Sequence, residues 1–165
     1  MIAFLDTLGG IPSHPLLVHV PVVLVPLATI VVVAIAIRPS LMQHYGPVAA
    51  GIALVGFLGS VLAASSGETL EEQFEEAGQT ISGTLADHVE LGDQVKIFAF
   101  VFLAAVVAWV VMARRDRLAS GDRPRRRGVV TALMVLALLT GGVATWSVTA
   151  TGHSGATSVW EQDEP

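Results

Sequence analysis

Residues 11–37 decide the fold, and they read IPSHPLLVHVPVVLVPLATIVVVAIAI. The hydrocarbon core of a bilayer is about 30 Å thick, and a helix needs roughly 20 apolar residues to cross it. The run between Pro15 and Arg38 carries no charge, so it predicts a membrane-spanning helix. Two histidines, His14 and His19, lie near the start of the segment 11–37. A polar ring in such a run is a hypothesis of a functional site.

Composition predicts that the whole chain is an integral membrane protein. Of its 165 residues, 53% are hydrophobic, and the mean hydropathy is +0.68, well above the range of soluble domains. We expect one integral membrane domain over residues 1–165. The chain contains no cysteine, which excludes disulfides, iron–sulfur clusters and thiolate metal sites. Any metal would need nitrogen or oxygen ligands.

Four runs are long and apolar enough to span a bilayer, at about 15–37, 46–66, 94–113 and 129–150. They predict an all-α fold, an up-down-up-down four-helix bundle in the membrane. A short interfacial helix is predicted before the first span, from the apolar residues Ile2, Phe4, Leu5 and Leu8. The segment GETLEEQFEEAG at 67–78 predicts a short amphipathic helix between the second and third spans.

The distribution of charge predicts the orientation of the bundle. Seven of the nine basic residues are arginines in the loop 114–127, and short basic loops stay in the cytoplasm. Lys96 and twelve of the fourteen acidic residues belong to the opposite face. Both termini and the loop 67–93 are therefore predicted to be extracytoplasmic, with the chain in the inner membrane.

Folding the four spans up and down brings four histidines to the predicted outer face, together with Glu68: His14, His19, His88 and His153. Five helical steps place His19 about 7 Å deeper than His14 and rotate it about 140° away. His19 is therefore the more buried candidate. The alternative for His19 is a ring that donates to a backbone carbonyl freed by Pro21. The alternatives for His88 and His153 are an exposed helix position and a loop position.

Several of these residues form a recognisable pattern. HPLLVHVPVVL at 14–24, the Gly-Glu pair at 67–68, His88, and TGHSGATSVW at 151–160 together resemble the bacterial four-span membrane proteins grouped as domain of unknown function 2231. The similarity covers essentially the whole chain, although members commonly have phenylalanine where Val20 stands. Domains of that family are found joined to, or encoded near, cytochrome c and Rieske domains. The resemblance therefore implies a respiratory or redox setting, and it assigns no ligand.

The first hypothesis is a membrane protein that binds haem b near the extracytoplasmic face. Helix bundles hold such cofactors through one histidine on each of two helices. We expect His19 with His88 as the first choice of axial pair, and His14 with His153 as the next. Haem propionates need basic partners, and Lys96 is the one basic residue on that half of the chain.

The second hypothesis is a divalent metal site for zinc or copper. Its ligands would be His14, His19 and His88, with Glu68 or His153 as a further ligand, because imidazole and carboxylate suit these metals. The acidic outer surface would attract cations to the site. The electrostatics favour a metal ion, whereas the redox setting implied by the resemblance favours haem.

The third hypothesis is a non-catalytic subunit or assembly factor of a membrane complex, in which the histidines stabilise the fold or an interface. The sequence shows no catalytic set: it has no strand–turn–helix setting for a nucleophile and no phosphate-binding loop. The basic loop is explained by topology rather than by nucleic acid. We interpret the chain as an electron-transfer or ligand-binding subunit and not as an enzyme.

Overall fold

The computed structural model describes residues 7–8, 11–78, 83–118 and 127–160. A two-residue antiparallel pairing joins β1 (Thr7–Leu8) to β2 (Ile11–Pro12). The described chain then continues as helices: α1 (His14–Leu17), α2 (His19–Ile37), α3 (Met42–Glu76), α4 (Thr84–Leu118) and α5 (Arg127–Trp160). A 3-10 turn, Pro39–Leu41, connects α2 to α3.

Within the described residues, four segments are long and apolar enough to cross a membrane: His14–Ile37, Pro39–Glu76, Leu85–Leu118 and Arg127–Thr157. The predicted all-α fold with four spans is confirmed. The first span consists of α1 and α2, which are separated by the single residue Val18. The other three spans are each centred on one long helix.

The four long helices form a closed bundle. Helices α2 and α4 each pack against both α3 and α5, so α2 lies diagonally opposite α4. We call the end of the bundle that contains His14 and His88 the histidine end. The other end, which contains Arg38 and Arg117, is the arginine end. There the guanidinium Nη2 of Arg117 donates to the carbonyl oxygen of Pro39 at 2.7 Å, which ties the end of α4 to the connection between α2 and α3.

The second and third spans continue far beyond their apolar segments. Helices α3 and α4 have 35 residues each, which at 1.5 Å per residue is about 50 Å, against a hydrocarbon core of about 30 Å. The segment predicted as a separate amphipathic helix at 67–78 is helical to Glu76, but it is the continuation of α3. The helix does not end at Gly67 but runs on to Glu76, so it continues out of the apolar region.

The predicted N-terminal interfacial helix is not formed at Leu8. Thr7 and Leu8 instead pair with Pro12 and Ile11 as antiparallel strands. The backbone N–H and C=O groups of this segment are therefore opposite another strand and not within a helical turn. The remaining residues of that prediction, Ile2, Phe4 and Leu5, lie outside the described residues.

Small residues on α3 bring its neighbours into close contact. The buried face of α3 is lined at helical spacing by Gly46, Ala49, Ala53, Gly56, Gly59, Ser60, Ala63 and Ser66. Large apolar side chains such as Leu58 and Leu62 are exposed instead. In lipid, apolar side chains lose nothing by facing outward, and close backbone approach between helices supplies the packing energy.

Gly59 is the tightest point of this contact and gives a test of the packing. A Cβ atom at Gly59 would lie 2.5 Å from Cγ1 of Val20 and 3.2 Å from Cδ of Pro21. We predict that Gly59→Ala lowers the free energy of unfolding in detergent by about 1–3 kcal/mol, because α2 and α3 must separate. The matched control is Gly51→Ala, since a Cβ there meets no atom within 4 Å. Equal stability of the two variants would contradict the close packing.

Candidate functional site

Two histidines from opposite sides of the bundle meet at the histidine end. His14 opens α1, and His88 lies in the second turn of α4. Their ring centroids are 6.2 Å apart, and the ring planes are nearly perpendicular, at 86°. Both residues are half-buried. The first and third spans lie diagonally opposite each other, so the two rings meet across the axis of the bundle.

The ring of His14 is held by the end of the second span. Its Nδ1 atom lies 3.0 Å from the carbonyl oxygen of Ala63 and 3.1 Å from the hydroxyl oxygen of Ser66. The Ser66 hydroxyl donates to the same Ala63 carbonyl at 2.8 Å. A carbonyl oxygen can only accept, so Nδ1 of His14 carries the proton. The lone pair of the neutral ring is therefore on Nε2.

The ring of His88 is held in the same way by the end of the fourth span. Its Nδ1 atom lies 3.0 Å from the carbonyl oxygen of Thr151 and 3.2 Å from the hydroxyl oxygen of Ser154. The Ser154 hydroxyl donates to the Thr151 carbonyl at 2.9 Å. The same argument places the proton of His88 on Nδ1 and the lone pair on Nε2.

A glycine follows each serine and lets the ring approach the helix. A Cβ atom at Gly67 would lie 3.2 Å from Cε1 of His14, and one at Gly155 would lie 2.7 Å from Cε1 of His88. Each imidazole is thus packed against the backbone of the next span. The rings are fixed by a hydrogen bond at Nδ1 and by contact with a glycine.

The other two predicted histidines are exposed. His19 donates from Nδ1 to the carbonyl oxygen of Pro15 at 2.6 Å, within its own span, and His153 lies on the exposed surface of α5. The structure therefore brings His14 together with His88, instead of the expected pairs His19 with His88 and His14 with His153. His19 was expected to be buried because it is deeper along the span, but depth does not determine which side of the helix faces the bundle. Its carbonyl partner is Pro15, not the one freed by Pro21.

Glu68 belongs to an ion-pair cluster. Its carboxylate lies 3.5 Å from the ammonium of Lys96, which also lies 2.8 Å from the carboxylate of Asp93. In the part of the chain that the structure describes, no group of three or more His, Asp and Glu residues is arranged to hold a metal ion. The predicted set of His14, His19, His88 and Glu68 is thus not assembled there as one coordination sphere.

The Nδ1–carbonyl bonds of His14 and His88 are of the kind that metal-binding histidines also make. Metal-binding histidines almost always donate their second ring N–H to a carbonyl or carboxylate, which fixes the tautomer and raises ligand basicity. An imidazole nitrogen bonds a metal ion such as zinc at about 2.0–2.1 Å. If two imidazoles bound one ion from opposite sides, these bonds and the distance from each nitrogen to its ring centre would add up to a centroid separation of about 6 Å. The observed 6.2 Å is close to that separation, and it is also the separation of an edge-to-face contact between two rings.

The serine and glycine partners were not predicted as parts of the site. Their sequence signal is a Ser-Gly pair late in the second and in the fourth span, at 66–67 and at 154–155. The pair is short and each serine has a simple explanation as a small helix residue. The role of the pair is recognised only once the structure shows that the two histidine rings pack against it.

The fold and the site together define a class of protein: a four-span membrane bundle with a pair of hydrogen-bonded histidines near one end. Residues 10–163 match the family model described as predicted membrane protein DUF2231. The chain therefore belongs to this family, as its sequence pattern suggested. The searches returned no significant match among curated proteins and none among solved structures.

The contact between Gly155 and His88 gives a test of the site geometry. We predict that Gly155→Ala turns or shifts the His88 ring, because the new Cβ would lie 2.7 Å from Cε1, and that it lowers the free energy of unfolding by about 1–3 kcal/mol. Nitrogen-15 NMR of labelled histidine should show a changed Nδ1 resonance for His88. Gly152→Ala is the control, since a Cβ there meets only Cγ2 of Val22, at 4.0 Å. An unchanged His88 resonance in Gly155→Ala would contradict the contact.

Proposed function

We propose that this protein binds haem b between His14 and His88 and serves as an electron-transfer subunit of a bacterial membrane complex. The site would lie near the extracytoplasmic face of the inner membrane. One observation carries the proposal: two imidazoles from diagonally opposite spans, with ring centroids 6.2 Å apart, each with Nδ1 bonded to a carbonyl.

The donor set of His14 and His88 is of the type that would hold a haem iron. Bis-histidine ligation needs one Nε2 lone pair from each of two helices, and the tautomers of His14 and His88 supply both. When bound, haem would supply one-electron chemistry whose potential is set by its axial ligands and surroundings. The residues of this chain hold the two rings, orient them at a right angle and keep their Nδ1 protons in place.

The charge distribution supports the proposed orientation. In the described residues, the arginine end carries Arg38, Arg114, Arg115, Arg117 and Arg127, while Lys96 is at the histidine end. Basic residues near span ends are retained in the cytoplasm. The histidine pair would then face outward, where it could exchange electrons with extracytoplasmic partners.

A copper or zinc ion is the second candidate ligand, and the charges at the histidine end favour it. Lys96 is already paired with Asp93 and Glu68, so a haem propionate would compete with two carboxylates for this ammonium. The extended parts of α3 and α4 present further exposed acids, Glu72, Glu75, Glu76, Asp87 and Glu90. An acidic surround attracts cations, and two imidazoles suit copper or zinc.

The proposed orientation is tested with single cysteines, because the chain has none of its own. We predict that Glu72→Cys is labelled by a membrane-impermeant maleimide in intact cells, since Glu72 is exposed on the extended part of α3. Leu118→Cys, at the exposed arginine end of α4, is expected to react only after the membrane is permeabilised. The reverse pattern would contradict the proposed orientation.

The proposed ligand is tested by the absorbance spectrum of the protein purified from cells supplied with haem precursor. We predict a Soret band that shifts on reduction with dithionite and is lost in both His14→Ala and His88→Ala, because each removes one axial ligand. The matched controls are His19→Ala and His153→Ala, which remove exposed rings and are expected to keep the spectrum.

Each result of this experiment decides between the candidates. A colourless protein that binds about one copper or zinc ion, and loses it in His14→Ala and His88→Ala, would favour the metal and overturn haem. A spectrum that is lost in His19→Ala but kept in His14→Ala would show that the wrong pair was chosen. A protein that binds none of these would overturn the proposal as a whole.

A further inference from the structure

The two halves of the bundle build the two sides of the site in the same way. One half consists of the first and second spans, and the other of the third and fourth spans. In each half, the first of the two spans carries a histidine near its start. The second of the two has, near its other end, an acceptor carbonyl, a serine three residues later and then a glycine. The Nδ1–carbonyl, Nδ1–hydroxyl and hydroxyl–carbonyl distances differ by 0.1 Å or less between the halves. The two sides of the site therefore repeat the same local hydrogen-bond pattern.

The serines are not needed to satisfy the histidine protons. The carbonyls of Ala63 and Thr151 already accept from Nδ1 of His14 and His88. Each serine hydroxyl donates to that same carbonyl, which leaves its oxygen lone pairs directed to the ring. The Nδ1 proton is thus shared by two acceptors, so that rotation of the ring away from the helix would break two contacts rather than one.

We propose that Ser66 and Ser154 are a matched pair of positioning residues that fix the orientation and the ligand strength of His14 and His88. The inference rests on the proposed cofactor site, and it adds a requirement: loss of either serine hydroxyl weakens the site, because each ring has the same two kinds of partner. Ser66 is 2% exposed, so no water replaces its hydroxyl.

Removal of either hydroxyl is expected to weaken the site. Loss of an outer partner of a metal-bound histidine costs about 10–100-fold in affinity. Because the carbonyl bond stays, we expect about tenfold weaker binding of haemin, or of zinc if the protein proves colourless, for Ser66→Ala and for Ser154→Ala. Ser154→Thr keeps a hydroxyl at a half-buried position and is expected to restore binding.

Two control variants distinguish the loss of a hydroxyl that contacts a histidine ring from the loss of a hydroxyl elsewhere on the same helix. Ser65→Ala removes the neighbouring serine on α3, and Thr149→Ala removes an exposed hydroxyl on α5 that bonds only to carbonyls of its own helix. Both are expected to bind haemin or zinc as the wild-type protein does.

A second readout does not need a bound cofactor. Nitrogen-15 NMR of labelled histidine in the apo-protein should show Nδ1–H tautomers for His14 and His88, assigned with the single histidine variants. Ser66→Ala should shift only the His14 resonances, and Ser154→Ala only those of His88. A stability change without these selective shifts would indicate a structural role and overturn the inference.

The two readouts keep this inference distinct from the proposed function. If the wild-type protein binds neither haemin nor a metal, the proposed function fails, and the NMR shifts alone decide whether the serines position the rings. If it binds a cofactor but Ser66→Ala and Ser154→Ala bind as tightly as Ser65→Ala, the cofactor site stands and the inference is wrong.

Discussion

No water is available inside a bilayer to bond a polar group, so every donor and acceptor must find its partner within the protein. This constraint produces the four long helices, and burial against neighbouring spans imposes a similar one at the histidine end, where Ser66 is 2% exposed. The Nδ1 protons of His14 and His88 go to carbonyls of the next span, and the hydroxyls of Ser66 and Ser154 return to their own helices. The groups that satisfy polar atoms in the bundle are the same groups that orient the histidine pair.

Close packing and ligand geometry are linked through small residues. Gly59 allows α2 to contact α3, which sets the position of the first span against the second. Gly67 and Gly155 then allow the imidazoles to reach the helix backbone. Larger side chains at these places would hold the spans apart and move the rings away from their carbonyl partners. The small residues therefore serve the fold and the site together.

The sequence predicted the spans, and it correctly gathered His14 and His88 at one end of the bundle. The metal hypothesis grouped these two histidines with others, but neither of the two pairs expected for haem combined His14 with His88. The deeper ring, His19, was expected to be the ligand, yet it faces outward and bonds to Pro15. The continuation of α3 to Glu76 was also missed, because a change from apolar to acidic residues was read as the end of a helix. Helical hydrogen bonding continued through that change.

The sequence by itself determined the four spans, because hydrophobic length is a local property that the bilayer selects directly. It also determined which neutral and charged residues occur near each end of each span. Only the tertiary structure decided that His14 faces His88 across the bundle, with Ser66 and Ser154 behind them. The physical reason is that the direction in which a side chain points depends on how each helix is rotated against its neighbours. That rotation is set by packing between residues far apart in the chain.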